Sequence, residues 1–244
     1  MEKNIGYLNT SMCTDGLGNL YIAYADLVVT KSDANGNQVW SFSNTYYDVA
    51  GDMIYVNGYV VVTQNTAIVK FNAANGAISS AAGNPSNTSI RCNTLAAGKD
   101  GCFYVSLSSG DIVKFDTSLN RLWTIHPTNS SNGIRMFVDN SNNLCLTVYG
   151  SGGAYKYDSN GNLIWSKNIG SGDLKFIDKN NYWYVEGHNK SSIAQFAPNG
   201  DRTWMFNENC VDGFFNPIYV DNDLNIYYVV GPLCKMRPEY TIVS

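Results

Sequence analysis

The stretch Ile134-Arg-Met-Phe-Val-Asp139, Asn140-Ser-Asn-Asn143, Leu144-Cys-Leu-Thr-Val-Tyr149, Gly150-Ser-Gly-Gly153, Ala154-Tyr-Lys-Tyr157, Asp158-Ser-Asn-Gly-Asn162, Leu163-Ile-Trp-Ser-Lys-Asn168 decides the fold. Four short apolar or alternating segments are separated by three clusters of Asn, Asp, Ser and Gly. Such clusters are turn chemistry, because Asp and Asn bond their own backbone and Gly or Asn accepts a left-handed conformation. The pattern predicts four short antiparallel strands in a meander. Four strands in about forty residues are the content of one propeller blade.

The same unit recurs from end to end. Val-Lys-Phe-Asn runs through Lys70, Val-Lys-Phe-Asp through Lys114, Tyr-Lys-Tyr-Asp through Lys156 and Ala-Gln-Phe-Ala through Gln195, with weaker matches at Lys31 and Lys235. The anchors are 39, 44, 42, 39 and 40 residues apart. Trp40, Trp123, Trp165 and Trp204 each lie nine positions after an anchor, and Ile78 and Ile242 take roughly that place in the other two units. A fixed period of this length means stacked supersecondary units that bury their faces against one another. The expected fold is all-β: a six-bladed β-propeller with four antiparallel strands per blade, in one domain over 1–244. Blades are expected at about 7–43, 44–82, 83–126, 127–169, 170–207 and 208–244. Lys3-Asn-Ile-Gly6 repeats Lys167-Asn-Ile-Gly170, so residues 1–6 are expected to close onto the last blade and cover its edge.

The recurring polar residues have structural explanations. Asp33, Asn72, Asp116 and Asp158 open the third turn of their units. Asp15, Asp139, Asp178 and Asp221 open the first, where turn chemistry competes with a loose likeness to a calcium loop lacking its Gly and terminal Glu. The Trp at fixed register suits packing between blades. The anchoring Lys is expected to lay its stem on the next blade and keep its amine in water.

The pattern x-x-K-[FY]-[DN]-x-x-G-x-x-x-W, followed by D-x-x-x-N-x-[YC]-[VL], resembles the bacterial β-propeller repeats of the seven-bladed (SBBP) type. It is also similar to NHL-like and pyrroloquinoline-quinone-like repeats. The resemblance covers essentially the whole chain and implies the propeller fold. Those families include enzymes, scaffolds and binders, so it implies no single activity. The quinone enzymes among them carry more blades than the six this chain has room for, and no cofactor is expected.

Composition narrows the function classes. The 16 Lys and Arg are scattered and the net charge is −4, so the clustered cationic stripe of a nucleic-acid groove is missing. No apolar run approaches the length that spans a bilayer. The start, Met1-Glu-Lys-Asn4, has no secretory pattern, which predicts synthesis in a cytosol and, if exported, incorporation into a virion or other particle. The six Cys have no metal spacing and most sit in apolar segments, as small buried hydrophobes do.

Two groups of residues are candidates for binding. Alignment on the anchors places Asp48, Arg91, Arg135 and Lys175 where innermost strands begin, at the mouth of a central channel. Convergent Arg and Lys there would take a small carboxylate or phosphate; the competing reading pairs them with Asp48, Asp173 and Asp212. On the same face, Tyr46, Tyr47, Phe214 and Phe215 stand in long polar loops that suit recognition of a glycan or protein. His126 and His188 lie in different units, and no nucleophile, base and charge stabiliser assemble from the sequence. The expected role is a non-catalytic binding or structural propeller, such as a phage or particle decoration protein. Its partner would be a protein subunit or glycan, with no nucleic acid and no membrane insertion. The alternative is a channel-mouth hydrolase or lyase acting on an anionic or lactone substrate.

Overall fold

A computed structural model of the chain describes residues 9–24, 28–43, 50–83, 91–127, 133–148, 150, 152–170, 172–187, 192–207, 219–229 and 233–236. It divides into two compact units, 1–131 and 132–244. Every element among the described residues is a β-strand.

Unit 1 holds three four-stranded antiparallel meanders. The first is β1 (Asn9–Thr14), β2 (Leu20–Tyr24), β3 (Val28–Ser32) and β4 (Gln38–Ser43). The second is β5 (Ala50–Val56), β6 (Tyr59–Gln64), β7 (Ala67–Asn72) and β8 (Ile78–Gly83). The third is β9 (Cys92–Ala97), β10 (Phe103–Leu107), β11 (Ile112–Phe115) and β12 (Arg121–Ile125). Unit 2 holds two more, β13 (Ile134–Val138) to β14 (Leu144–Val148), β15 (Gly153–Tyr157) and β16 (Leu163–Asn168), then β17 (Gly172–Ile177) to β18 (Trp183–Gly187), β19 (Ser192–Phe196) and β20 (Arg202–Asn207). Its last sheet is three-stranded: β21 (Tyr219–Val220), β22 (Ile226–Val229) and β23 (Leu233–Met236). The four strands read from 134–168 are thus in place. The expected fourth strand of the last sheet and the closure by residues 1–6 lie outside the described residues.

Inside each unit the first strand of one sheet meets the first strand of the next, β1 to β5 to β9 and β13 to β17 to β21. These are the inner strands. The apolar clusters lie between sheets. Tyr21, Ala23 and Val29 of the first meet Met53, Val60, Val62, Val69 and Phe71 of the second. Val61 and Ile68 of the second meet Phe103, Val105 and Phe115 of the third. In unit 2, Cys145 and Ala154 meet Leu174, Trp183 and Phe196, and Tyr184 and Ile193 meet Val220 and Ile226. A sheet buried on both faces needs apolar residues on both, so its strands read as continuous runs rather than alternations. Val60-Val61-Val62 and the wholly buried β10 and β14 are such runs.

One hydrogen-bond device joins sheet to sheet. Lys31 Nζ and Trp40 Nε1 both donate to the Ala73 carbonyl of the following sheet, each at 3.1 Å. Trp165 Nε1 donates to the Pro198 carbonyl at 3.0 Å and Lys156 Nζ to the same oxygen at 3.4 Å. Lys70 donates to the Thr117 carbonyl. Ala73, Thr117 and Pro198 stand three residues after their own anchors, and the second sheet carries both halves of the clasp, Lys70 as donor and Ala73 as acceptor. The indoles lie on turn glycines of the next sheet: a Cβ at Gly76 would meet Trp40 at 2.7 Å, and one at Gly200 would meet Trp165 at 3.1 Å.

The Lys expectation needs correction. The amines of Lys70, Lys114 and Lys156 are not in water but buried, the stems having no open surface between two packed sheets. Lys114 pairs with Asp100 at 2.7 Å and Lys156 with the fully buried Asp139 at 2.8 Å. Lys31, Lys70, Lys114 and Lys235 also sit over the Tyr21, Tyr59, Tyr104 and Tyr227 rings. The second correction concerns Ile78. Lys70 is opposite Ser80, as Lys31 is opposite Trp40 and Lys156 opposite Trp165. The turn after Phe71 is one residue longer than its counterparts, so Ser80 holds the Trp register and Ile78 pairs with Phe71.

Candidate functional site

The turn aspartates come first, because they are the most numerous acidic groups. Asp139 Oδ1 accepts from the Ser141 and Asn143 amides and Oδ2 from the Asn143 side chain. Asp33, Asp116 and Asp158 repeat the arrangement in the later turn of their units. Asp15 and Asp221 add a Tyr hydroxyl, from Tyr21 and Tyr227. Hydrogen bonds from Asn225 hold the Asp221 carboxyl down at about 2. Both oxygens therefore face N–H or O–H donors, the opposite of what a cation needs. Among the described residues no group of three or more His, Cys, Asp or Glu could hold a metal ion.

The thiols are equally occupied by packing. Cys92 and Cys145 are buried, Cys13 and Cys102 half-buried, and all four are free. Burial, with the charges of Asp52 and Asp15, pushes Cys13 up to about 12, and burial pushes Cys92 to about 11. Burial thus disfavours the thiolate at both positions.

Polar side chains remain at the inner strands. In unit 1, Asp52 of β5 joins three inner strands: its Oδ1 accepts from Ser11 Oγ of β1 at 3.3 Å and its Oδ2 from the Leu95 amide of β9 at 2.8 Å. Its own amide donates to Thr63 Oγ1. Nothing in the sequence singled out Asp52; only the side-by-side placement of β1, β5 and β9 reveals it. In unit 2, Lys175 Nζ lies 2.9 Å from Glu186 Oε2 and 3.8 Å from Asp173 Oδ2. Glu186 is 2% exposed, and its other oxygen accepts no hydrogen bond among the described residues. Glu186 was missed because it follows Trp183-Tyr184-Val185 in a run that reads as a buried strand.

Arg135 is exposed on β13, opposite Thr147. Asp173 pairs with Glu186 at the same register, and Lys175 is the extra residue of a bulge between Leu174 and Phe176. Arg135 and Lys175 therefore stand on adjacent inner strands of one unit. Arg91 belongs to the other unit. It is exposed and meets Ser108, two residues further along its partner strand than Ser106, the counterpart of Thr147. Asp48, Tyr46, Tyr47, Phe214 and Phe215 lie outside the described residues, as does Asp212. His126 Nδ1 is 2.8 Å from Asp111 Oδ1, whose other oxygen accepts from Ser109 Oγ at 2.7 Å.

Comparison with known proteins gives the class. No family model matches the chain, and no curated protein matches it. Among solved structures it is similar to a catalytically inactive virginiamycin B lyase from Staphylococcus aureus with quinupristin, at TM-score 0.81 and 10% identity over 98% of this chain and 84% of that one. It is also similar to BamB from Moraxella catarrhalis, at TM-score 0.69 and 15% identity over 100% and 78%. The β-propeller domain of Swd1 from Myceliophteria thermophila follows at 0.75 and 10% over 94% and 82%. Among the described residues, five four-stranded antiparallel sheets and a smaller sixth, together with these neighbours, define the fold as a six-bladed β-propeller. At such identities the likeness carries fold alone.

Proposed function

We propose that the chain is a non-catalytic binding propeller that contacts a protein or a glycan through the loops between successive blades. The observation that supports this reading is the employment of its reactive groups. Among the described residues the recurring Asp carboxylates are occupied in turns, Lys31, Lys70 and Lys156 clasp neighbouring sheets, and four thiols are buried or half-buried. What varies between blades is loops on a rigid scaffold, the usual place for recognition. BamB and the Swd1 propeller are neighbours of the same architecture. A particle appendage remains a specific form of this proposal, tied to the polar aromatic loops.

The test is binding on a glycan array and to candidate protein partners, with Tyr47→Ala and Phe215→Ala as loop variants. Loss of binding in the variants supports the loop face; unchanged binding refutes it. The resemblance to virginiamycin B lyase gives a second reading, a lyase on a lactone. Incubation with quinupristin followed by mass spectrometry and chromatography decides it: a new product would displace the binding proposal.

A further inference from the structure

We propose that Arg135 and Lys175 form a binding site for an organic carboxylate on the inner strands of unit 2, with Glu186 as the residue that positions Lys175. The starting point is a break in the repeat. At one position of the second strand the second, third and fourth sheets carry hydroxyls, Thr63, Ser106 and Thr147, and the first carries Ala23. Thr63 Oγ1 accepts from the Asp52 amide at 2.8 Å, Ser106 Oγ from the Thr94 amide at 3.0 Å, and Thr147 Oγ1 from the Leu174 amide at 2.9 Å. Each satisfies an inner-strand N–H and needs nothing else. The next blade has Glu186 there instead.

A buried carboxylate is a costly replacement for a hydroxyl, since its desolvation is offset only by a well-placed cation. That cation comes from a second irregularity, the bulge that takes Lys175 out of the ladder of β17 and β18. Bulges re-aim side chains and concentrate beside functional sites. Thr147 pins the residue just before the bulge from the neighbouring blade. First-to-second-strand irregularities also occur in the first three sheets, so it is the buried carboxylate that the siblings fold without, and departures from local rules mark functional sites.

The result is a held ammonium, 19% exposed, that gives one of its three donors to Glu186. Asp173, at 3.8 Å, is beyond hydrogen-bond reach and contributes charge alone. On the adjacent inner strand stands the exposed Arg135, whose planar fork matches a carboxylate. Two cations against two carboxylates leave no net charge. A singly charged carboxylate is therefore accommodated, whereas a dianionic phosphate meets repulsion from Asp173 and Glu186. This proposal does not depend on the loop residues.

The test is an NMR titration of the full chain with acetate and D-glucuronate, with D-glucose as neutral control and inorganic phosphate as competing anion. Saturable binding of the carboxylates is expected, absent with glucose and weakened about tenfold or more in Arg135→Gln, the loss of one charged bidentate contact. Lys175→Met weakens it too. Glu186→Gln weakens it in the single variant but adds little on top of Lys175→Met, because it acts through that residue. Circular dichroism confirms that each variant is folded; Arg135 is exposed and its removal leaves the core intact. No saturable response to either carboxylate, unchanged affinity in Arg135→Gln, or a stronger response to phosphate overturns the proposal.

Discussion

Lys70 and Lys156 hold the same register and make the same bond to the following sheet, yet their surroundings differ. Lys156 touches Asp139, which is fully buried. Burial alone would raise the Asp139 carboxyl, but hydrogen bonds from Lys156 and Asn143 outweigh it and hold the group below the usual range. Lys70 has no carboxylate at hydrogen-bond distance among the described residues. Burial pushes its amine down, opposed only by the more distant charge of Asp116. The two residues should therefore respond unequally to the same substitution. Lys156→Met strands a buried carboxylate and is expected to cost about 3–5 kcal/mol, whereas Lys70→Met removes a poorly compensated charge and should be near neutral. Urea denaturation of both variants measures the contrast, and equal losses would show that the Asp139 pair is immaterial. The anchor lysines were visible in the sequence as a repeat. Their burial was not, because the partner carbonyls at Ala73, Thr117 and Pro198 are backbone and carry no residue signature.

At the scale of the strand, each sheet is positioned by groups that reach into the next. Asn140 donates to the Asp178 and Lys179 carbonyls of the following first turn, and Lys179 Nζ reaches the Asn222 carbonyl beyond it. Thr147 joins β14 to β17 through the Leu174 amide. Thr147→Val keeps the shape and deletes the acceptor, leaving that amide unsatisfied in a buried site. The expected loss is about 1–3 kcal/mol, measured by chemical denaturation, with faster hydrogen exchange at Leu174. Unchanged exchange there would mean that the hydroxyl does not hold the bulge. Strand number and order were legible from the turn residues, since Asn142 and Asn181 adopt the left-handed conformation their turns demand. The bulge at Lys175 was not: it arises when Phe176 pairs with Tyr184 and Leu174 with Val185, a register set by packing between sheets. The same reason gives Arg91 and Arg135 different registers in their own sheets: Leu95 pairs with Val105 as Met136 pairs with Leu146, so Thr94, not Arg91, is the counterpart of Arg135.

Over the whole molecule the turn carboxylates act together. Asp33, Asp116, Asp158 and Asp221 are all held below the usual carboxylate range by hydrogen bonds from their turns. A carboxyl that is more acidic in the folded than in the unfolded chain stabilises the fold above its unfolded value, about 3.9, and loses that contribution as pH falls through its folded value. The thermal midpoint is expected to be flat between about pH 7 and pH 5 and to fall progressively from about pH 4 toward pH 2. EDTA at neutral pH should leave it unchanged, because the carboxylate oxygens accept from N–H donors. A clear drop with EDTA would show that a cation shares those turns.

The sequence by itself determined the repeat, the strand and turn order, and the positions of the packing tryptophans. These are local matters: a turn needs its Asn or Gly whatever surrounds it, and a sheet covered on both sides needs apolar runs. Only the tertiary structure decided which polar groups meet. Asp52 with Ser11 and Leu95, Lys156 with Asp139 and Pro198, and Lys175 with Glu186 depend on register and on the contact of separate strands. Those are fixed by how whole faces interlock, and no short window of residues contains that information.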